Sequence, residues 1–426
     1  MKLSKDLKVI YLLSIICSLL LIVCWGGQIT YDGPSYITAW NSFSQGNIDV
    51  LRTPIYPIYL GIIKTLFGES SFQIIVICIQ HLIFLLSIRY FYKVALFVNP
   101  SKNAAFWLTL LYAVLLPISS LSNYILTESF AISGMVFLCY FLIRLFKSPT
   151  ILLASICSFI LLFLIFLRPS FIYIFPVLLL LLLIIILRYK LSKIIFYQIL
   201  PLFVSITCIL IYMKAFEKRY GVFALSSVST INQYYMARQY GLLNIEEISN
   251  KSLRNDLLES FEKNGIRTED ADLLWDEANE MCDKYQLKEI NEVIYQSYKT
   301  NKIGYIKSIV GRLYRSSQNC IFTYNPSFKF SAFTDILGLN LKINFLYLFL
   351  IIYTCILTFW IFAKKTLPLL SILFLLIGIS NITVAIVGAQ ADWGRLILPS
   401  MPLYLLMFGQ ICGMFNVKSP LKIEFK

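Results

Sequence analysis

The sequence predicts an all-α polytopic membrane protein with about ten transmembrane helices. Of its 426 residues, 58% are hydrophobic and 14% are charged, whereas ordinary soluble domains carry roughly 25% charged residues. Its mean hydropathy is +0.74. The apolar residues form ten runs, which are long enough to cross a hydrocarbon core of roughly 30 Å as helices. The runs are residues 8–25, 72–95, 104–122, 125–146, 150–167, 171–188, 194–213, 343–363, 366–388 and 396–415.

The runs divide the chain into three parts. Residues 1–213 form an N-terminal transmembrane module that contains a polar loop, 26–71, after its first run. Residues 214–342 form one long polar segment, and residues 343–426 hold the last three runs and a short tail. Only a short turn at Arg168 separates the fifth run from the sixth, which leaves one re-entrant unit open as an alternative.

Lysine and arginine residues gather in alternate connections between the runs, and this predicts the sidedness of the chain. If the N-terminus is cytoplasmic, six inner segments are basic and carry almost no acid, as the positive-inside rule requires. The sequence therefore predicts a multi-pass protein of the cytoplasmic (plasma or inner) membrane. Both termini are expected inside, and the loop 26–71 and the segment 214–342 outside. The net charge of +14 follows from this bias, so no nucleic-acid partner is predicted.

The first outer loop contains two amphipathic stretches. Residues 35–43 and 56–67 place aromatic and aliphatic side chains at helical spacing, and such aromatic residues favour the headgroup level. Both are predicted to be helices along the membrane surface. Asp32 and Arg52 lie in this loop, where charges held against a bilayer are costly unless they bind or catalyse something. The plainer alternative makes Asp32 the N-cap of the first helix, with Pro34 in its first turn.

The long polar segment 214–342 is predicted to be a helical, extracytoplasmic insertion. Between 252 and 299 its apolar residues recur at helical spacing. Most of the ten cysteines lie inside apolar runs, where a thiol behaves as a small hydrophobe. Only Cys282 and Cys320 lie in polar sequence, and whether they pair is left open. With His81 as the one histidine, a histidine-based metal site is excluded.

Four further charged residues lie at run ends on the predicted outer side. Glu128 opens the fourth run, where an acid also complements the helix dipole. Arg168 and Arg395 lie at the same boundary, where they either grip a lipid phosphate or snorkel to the interface. Asp392 lies three residues before Arg395 and can pair with it. Arginines on this side run against the positive-inside trend, which favours a function for them.

Several short motifs occur along the chain in a fixed order. Asp-x-x-x-Tyr begins at Asp32, Arg-x-Pro-x-Tyr-Pro begins at Arg52, Leu-Thr-Glu ends at Glu128, Arg-Pro begins at Arg168 and Gly-Arg ends at Arg395. Together they resemble the polytopic GT-C glycosyltransferases, most of all the bacterial branch related to the protein O-mannosyltransferases and the lipid A aminoarabinose transferases. The resemblance covers about 1–215 and 343–415, and it implies a GT-C-like fold.

The resemblance also implies roles for individual residues. Asp32 matches the general base of the family, and Arg52 matches the basic residue that contacts the donor phosphate. Arg168 and Arg395 are expected to complete the phosphate site. Residues expected to position substrate are Tyr36, Tyr56, Glu128 and Asp392. Gly33 replaces a second acid of many relatives and Leu51 replaces a metal-linked glutamate of some, so a divalent cation is left open and no metal ligand is assigned.

The chemistry of these residues agrees with the resemblance. Polyprenyl phosphate is a good leaving group, so catalysis needs cations on the phosphate and a carboxylate that takes the proton from an acceptor hydroxyl. One base without a second carboxylate nucleophile predicts direct displacement with inversion. The expected function is transfer of a hexosyl or pentosyl group from a polyprenyl-phosphate-linked donor to an acceptor glycan, lipid or protein. The transfer is expected at the outer face of the cytoplasmic membrane.

Three other functions remain as alternatives. A polysaccharide polymerase or ligase could use a related scaffold. A lipid-linked oligosaccharide transporter is disfavoured, because transporters tend to show repeated halves and polar groups near the bilayer midplane. This sequence shows no internal repeat, and its charges stay at one edge of the runs. A non-catalytic assembly subunit would be favoured if Asp32 proved dispensable.

Overall fold

The computed structural model describes residues 4–99, 101–148, 150–180, 193–246, 248, 250–320, 342–364, 368–389 and 393–414. Of the described residues, 84% are helical, which confirms the all-α prediction. The helices are α1 (Lys5–Trp25), α2 (Gly33–Ser44), α3 (Ile55–Val98), α4 (Lys102–Val114), α5 (Leu116–Asn123), α6 (Glu128–Lys147), α7 (Ile151–Leu167), α8 (Pro169–Leu180), α9 (Lys193–Tyr220), α10 (Val228–Gln239), α11 (Lys251–Asn264), α12 (Ala271–Lys284), α13 (Leu287–Thr300), α14 (Lys302–Gln318), α15 (Ile343–Lys364), α16 (Leu369–Gly388), α17 (Trp393–Ile397) and α18 (Met401–Met414).

Within the described part of the chain, six helices are long and apolar enough to cross a membrane: α1, α3, α6, α15, α16 and the joined pair α17–α18. A seventh span results if α4 and α5, which meet at a bend of 53°, count as one. The prediction of about ten spans is therefore confirmed only in part. The 17 residues of α7 are apolar but short, because they rise only about 26 Å against a core of roughly 30 Å.

The second amphipathic stretch of the first loop is a helix that ends at a kink. It forms the first part of α3, which continues to Val98 with a single break at Gly68. The φ of 74° and ψ of 170° at Gly68 lie outside the helical region, and glycine adopts them without the steric cost of a Cβ. Tyr56 and Leu60 are buried, whereas Ile62, Leu66 and Phe67 are exposed, so one side of this stretch packs against the protein and the other does not. The prediction of a second helix laid on the bilayer is therefore not confirmed.

The long polar segment has a hydrophobic core of its own, enclosed by α10 to α13. An ion pair lies within it: Arg238 Nε donates to Glu277 Oε1 at 2.9 Å, and Tyr234 donates a second hydrogen bond to the same carboxylate. The pair is structural, because a buried charge must be matched to be tolerated. Cys282 and Cys320 are both free thiols.

This polar segment is attached to one end of the helix bundle. The Ser227 N–H donates to the Val50 carbonyl at 2.8 Å, which fixes the start of α10 to the first loop. Arg312 of α14 donates to the carbonyls of Val387 and Ala389 at the end of α16. The segment therefore contacts two stretches of chain that each lead to a predicted site residue.

Candidate active site

Five charged side chains from four separate parts of the chain meet in one network, which we call the charge cluster: Asp32, Arg52, Glu128, Arg168 and Arg395. Asp32 Oδ1 accepts a hydrogen bond from Arg52 Nη2 at 2.8 Å, and its Oδ2 accepts one from Arg395 Nη2 at 2.5 Å. Glu128 Oε1 lies 3.3 Å from both Arg168 Nη1 and Arg395 Nε. Arg395 therefore bridges the two carboxylates. We call the end of the bundle that carries this cluster the site face.

Backbone pairing places Asp32 beside Glu128. The Gln28 N–H donates to the Asn123 carbonyl at 2.8 Å, and the Ile125 N–H donates to the Gln28 carbonyl at 2.9 Å. These bonds tie the first loop to the turn between α5 and α6. Asp32 precedes α2 in a helical backbone conformation, and its side chain caps no backbone N–H. Asp32 therefore occupies the N-cap position, with Pro34 in the first turn, but its carboxylate does not cap the helix because two arginines engage it instead.

Asp49 shapes the turn that presents Arg52. Its Oδ1 accepts hydrogen bonds from the backbone N–H groups of Leu51 at 3.0 Å and Arg52 at 2.8 Å. Ser42 at the end of α2 donates to Oδ2 at 3.2 Å, which joins the turn to that helix. A carboxylate that accepts local backbone N–H groups is a common way to fix a turn. The turn ends at Pro54, directly before α3 begins at Ile55.

The Arg52 guanidinium is held from three sides. Besides its bond to Asp32, its Nε donates to Ser35 Oγ at 2.8 Å, and Ser35 in turn donates to the Asp32 carbonyl at 2.7 Å. Its Cζ lies 4.1 Å from the centroid of the Tyr36 ring, a cation–π contact. The side chain is 11% exposed. Arg52 therefore keeps one orientation before any ligand arrives.

The two predicted tyrosines lie one behind the other. Tyr36 contacts Arg52 directly, whereas Tyr56 packs edge-on against Tyr36 at 5.1 Å between ring centroids. The Tyr56 hydroxyl donates to Gln80 Oε1 at 2.9 Å, inside the protein. Tyr56 therefore supports Tyr36, and its hydroxyl is hydrogen bonded to Gln80. Asp392, the remaining predicted site residue, lies outside the described residues.

Glu128 and Arg168 lie on the buried side of the charge cluster. Glu128 is the first residue of α6, so its carboxylate also lies at the positive end of that helix dipole. It is almost completely buried. Arg168 ends α7, directly before Pro169 opens α8 with a 3₁₀ turn. Because a buried carboxylate is strongly destabilised without cations, Glu128 holds Arg168 and Arg395 at the site face.

The arginines set the protonation of Asp32. Burial alone would raise the pKa of its carboxyl, but the charges of Arg395 and Arg52 outweigh that effect and hold the pKa well below its usual value. Asp32 is therefore ionised at any physiological pH. Three guanidinium groups and two carboxylates also leave these five side chains with a net charge of +1 (3 − 2). Such a site favours an anionic ligand.

Comparison with known proteins gives matches only at the level of structure. No family model matches the chain, and no curated protein does. Two crystal structures of the oligosaccharyltransferase of Archaeoglobus fulgidus align with 96% of the chain at 12% identity, with TM-scores of 0.52 and 0.51. One holds a tethered acceptor peptide with the NVT sequon, and the other holds Zn and sulfate.

The chain has a GT-C fold. This confirms the predicted fold, and membership of the superfamily and of its bacterial branch stays a prediction. The chain covers 50% and 49% of the two archaeal proteins, so it spans about half their length. At this identity the likeness shows the fold alone.

The charge cluster does not fit a divalent cation in this GT-C fold. Both Asp32 oxygens are taken by guanidinium groups, and the Asp49 carboxylate is taken by backbone N–H groups and Ser42. No group of three or more potential metal ligands occurs among the described residues. A Cβ at Gly33 would lie 2.7 Å from Ile29 Cγ2, so a second acid there would require Ile29 to move.

Sequence reasoning missed two residues of the site, Ser35 and Asp49. Both act on Arg52, one through its guanidinium and the other through its backbone N–H. The spacing Asp49-x-x-Arg52 is compatible with a turn in which an aspartate accepts backbone N–H groups, and that signal could have been used. Ser35 gave no signal, because a serine near a helix start is common for other reasons.

Proposed function

We propose that this protein is a membrane glycosyltransferase that moves a sugar from a polyprenyl-phosphate-linked donor to an acceptor hydroxyl at the outer face of the cytoplasmic membrane. The observation that carries the proposal is the charge cluster, in which a carboxylate lies between two arginines. Arginine is suited to phosphate because its planar fork forms paired, charge-assisted hydrogen bonds. The GT-C fold, shared with an archaeal oligosaccharyltransferase, supports the same reaction class.

The proposed reaction begins with an exchange of partners. The donor phosphate accepts hydrogen bonds from Arg52 and Arg395, which then no longer neutralise Asp32. The pKa of the Asp32 carboxyl rises as these cations turn to the phosphate, and the carboxylate becomes a better base. Donor binding thus converts Asp32 from a partner of the arginines into a group that can accept a proton.

The transfer step follows from this arrangement. Asp32 takes the proton of the acceptor hydroxyl while the acceptor oxygen forms a bond to the anomeric carbon. The bond from that carbon to the phosphate oxygen breaks, and polyprenyl phosphate leaves with the electron pair. Arg52 and Arg395 stabilise the negative charge that develops on it. A single displacement inverts the anomeric centre.

The other residues position these groups. Glu128 holds Arg395 and Arg168 in place, and Arg168 supplies a third positive charge to the phosphate site. Tyr36 holds the Arg52 guanidinium against the face of its ring, with Tyr56 behind Tyr36. Asp392 is proposed to pair with Arg395, three residues later.

We propose a reaction that needs no divalent cation, because Arg52, Arg168 and Arg395 supply the positive charge at the donor phosphate. Sugar transfer is therefore expected to be the same with and without a chelator such as EDTA. Loss of activity with EDTA and its recovery with Mg²⁺ or Mn²⁺ would contradict this part of the proposal. The comparison uses one protein preparation, so folding is not a variable.

The function is tested with the purified protein in lipid nanodiscs. It is supplied with synthetic polyprenyl-phosphate sugars carrying a radiolabelled sugar, and sugar nucleotides serve as control donors. The label is expected to pass to an acceptor only from the lipid-phosphate donors, with inversion seen by NMR of the anomeric proton. Movement of intact labelled donor across proteoliposomes, without cleavage, would favour the transporter alternative. Transfer of whole lipid-linked glycans would favour a polymerase or ligase.

A further inference from the structure

Helix α14 reverses the polarity expected of a helix in a solvated segment. Three polar side chains spaced four residues apart, Ser308, Arg312 and Ser316, are completely buried. The opposite side of the helix is apolar and is 45–70% exposed. Its exposed residues are Ile303, Ile306, Val310, Leu313 and Tyr314. At 100° per residue these five fall on one continuous face.

The polar side of α14 is turned inward because it has partners there. Arg312 donates to the carbonyls of Val387 and Ala389 at the end of α16. The Ser316 hydroxyl is hydrogen bonded to the Tyr347 hydroxyl of α15 at 2.7 Å. The orientation of the helix is therefore fixed by several independent contacts, and its apolar side cannot turn inward without breaking them.

The neighbouring helices of the same segment have ordinary polarity. In α13, Ile290, Val293 and Ile294 are buried, while the exposed side consists of polar residues and Tyr295. In α11 the buried residues are likewise apolar. Among the described helices of the polar segment, α14 packs against both α15 and α16, and α10 also contacts α16 through Asn232, which donates to the Gly388 carbonyl. The helix with the exposed apolar face, α14, therefore lies beside two membrane spans.

The charges of α14 also fit a membrane surface. The helix contains Lys302, Lys307, Arg312 and Arg315 and no acidic residue. Lys307 lies at the edge of the apolar face, and Tyr314 lies within it. Lysine at the border and an aromatic ring in the apolar face are the features of helices that lie in a membrane interface. The adjoining span α15 exposes Phe345, Leu348 and Ile351, as a lipid-facing helix does.

We propose that α14 is an interfacial helix whose apolar face, Ile303 to Tyr314, is immersed in the lipid leaflet at the site face. The polar segment then does not stand free of the bilayer but rests on it through α14. This helix also holds the end of α16, from which the chain leads to Arg395. The lipid surface therefore forms part of the support of the charge cluster, although the proposal itself does not depend on the proposed reaction.

Site-specific photocrosslinking tests this placement. p-Benzoylphenylalanine replaces Tyr314 in one variant and Tyr295 of α13 in a matched control, since both are exposed tyrosines on adjacent helices. A third variant carries it at Val310. Each full-length protein is irradiated in nanodiscs of phosphatidylcholine and phosphatidylglycerol, and adducts are identified by mass spectrometry.

Phospholipid adducts are expected at positions 310 and 314, several-fold above those at 295. Crosslinks from 310 and 314 to the chain's own residues 321–341 would overturn the proposal, because that segment would then cover the apolar face. Adduct levels no higher than at 295 would overturn it as well. Size-exclusion profiles that match wild type show that each variant is folded, and Val310 supplies a second position if the Tyr314 variant is not.

Discussion

Replacement of Asp32 by asparagine separates binding from catalysis at the charge cluster. The change keeps the size of the side chain but removes the group that would take the acceptor proton. Loss of a positioned general base costs about 10²–10⁴-fold in rate, which is about 2.7–5.4 kcal/mol of transition-state stabilisation. We expect kcat for sugar transfer to fall by this amount.

Binding of the donor should respond differently. The cluster carries +1 with Asp32 and +2 without it (3 − 1), because three arginines then face Glu128 alone. Since Asp32 competes with the donor phosphate for Arg52 and Arg395, its loss should leave the donor KM unchanged or lower it. Steady-state kinetics over a range of donor concentrations measure both constants. A raised KM with unchanged kcat would refute the assignment of Asp32 as base.

A matched control is available on the polar segment. Asp256 forms an ion pair with Lys284, and the Asp256 side chain is 24% exposed. Asp256→Asn makes the same chemical change outside the charge cluster, and exposed pairs contribute only about 0–1 kcal/mol to stability. Its kcat and KM are expected to match those of wild type. A similar loss of rate in both variants would indicate a general defect in the protein rather than loss of a base.

Three other substitutions probe the surroundings of Asp32. Arg395→Gln removes a charge that lowers the pKa of the Asp32 carboxyl. Because the base works in its deprotonated form, above its pKa, the acid limb of the plot of kcat/KM against pH should move to higher pH. An unshifted acid limb would argue against this coupling between Arg395 and Asp32. Asp49→Ala should raise the donor KM several-fold with a smaller change in kcat, because the turn that presents Arg52 loses the hydrogen bonds to the Asp49 carboxylate. An unchanged donor KM would mean that the turn does not depend on Asp49. Arg312→Met should lower the free energy of unfolding by about 1–3 kcal/mol, because the buried carbonyls at the end of α16 lose their hydrogen-bond donor. The measurement is the midpoint of thermal unfolding, which should fall. A midpoint equal to that of wild type would show that water replaces Arg312 as the donor.

The charge cluster was predictable because the chain is so apolar. In a sequence with 14% charged residues, acids and arginines that recur at run ends on one side are conspicuous. The alternation of basic connections then assigned Glu128, Arg168 and Arg395 to the same face as Asp32, although they are far apart in the chain. The contacts between them depend on how α6, α7 and α17 pack, which a single sequence does not contain.

Other features could not be predicted for physical reasons. The stretch 56–67 has an amphipathic pattern, but a pattern does not say which apolar residues meet protein. Here Tyr56 and Leu60 are buried, whereas Leu66 and Phe67 are exposed. The same ambiguity applies to α14, where the polar side faces inward because Arg312 finds carbonyl partners. The number of spans is confirmed only in part, because hydropathy detects apolar runs but not whether each helix is long enough to cross the bilayer, and residues 181–188 of the predicted sixth run lie outside the described residues.

A structure of the protein in nanodiscs with bound polyprenyl phosphate, determined by electron cryomicroscopy, tests the central claim most directly. The phosphate is expected within hydrogen-bond distance of Arg52 and Arg395, with the Asp32 carboxylate released from at least one of them and open to the acceptor side. A phosphate bound elsewhere, with both bonds from the arginines to Asp32 intact, would contradict the claim that these residues form one active site.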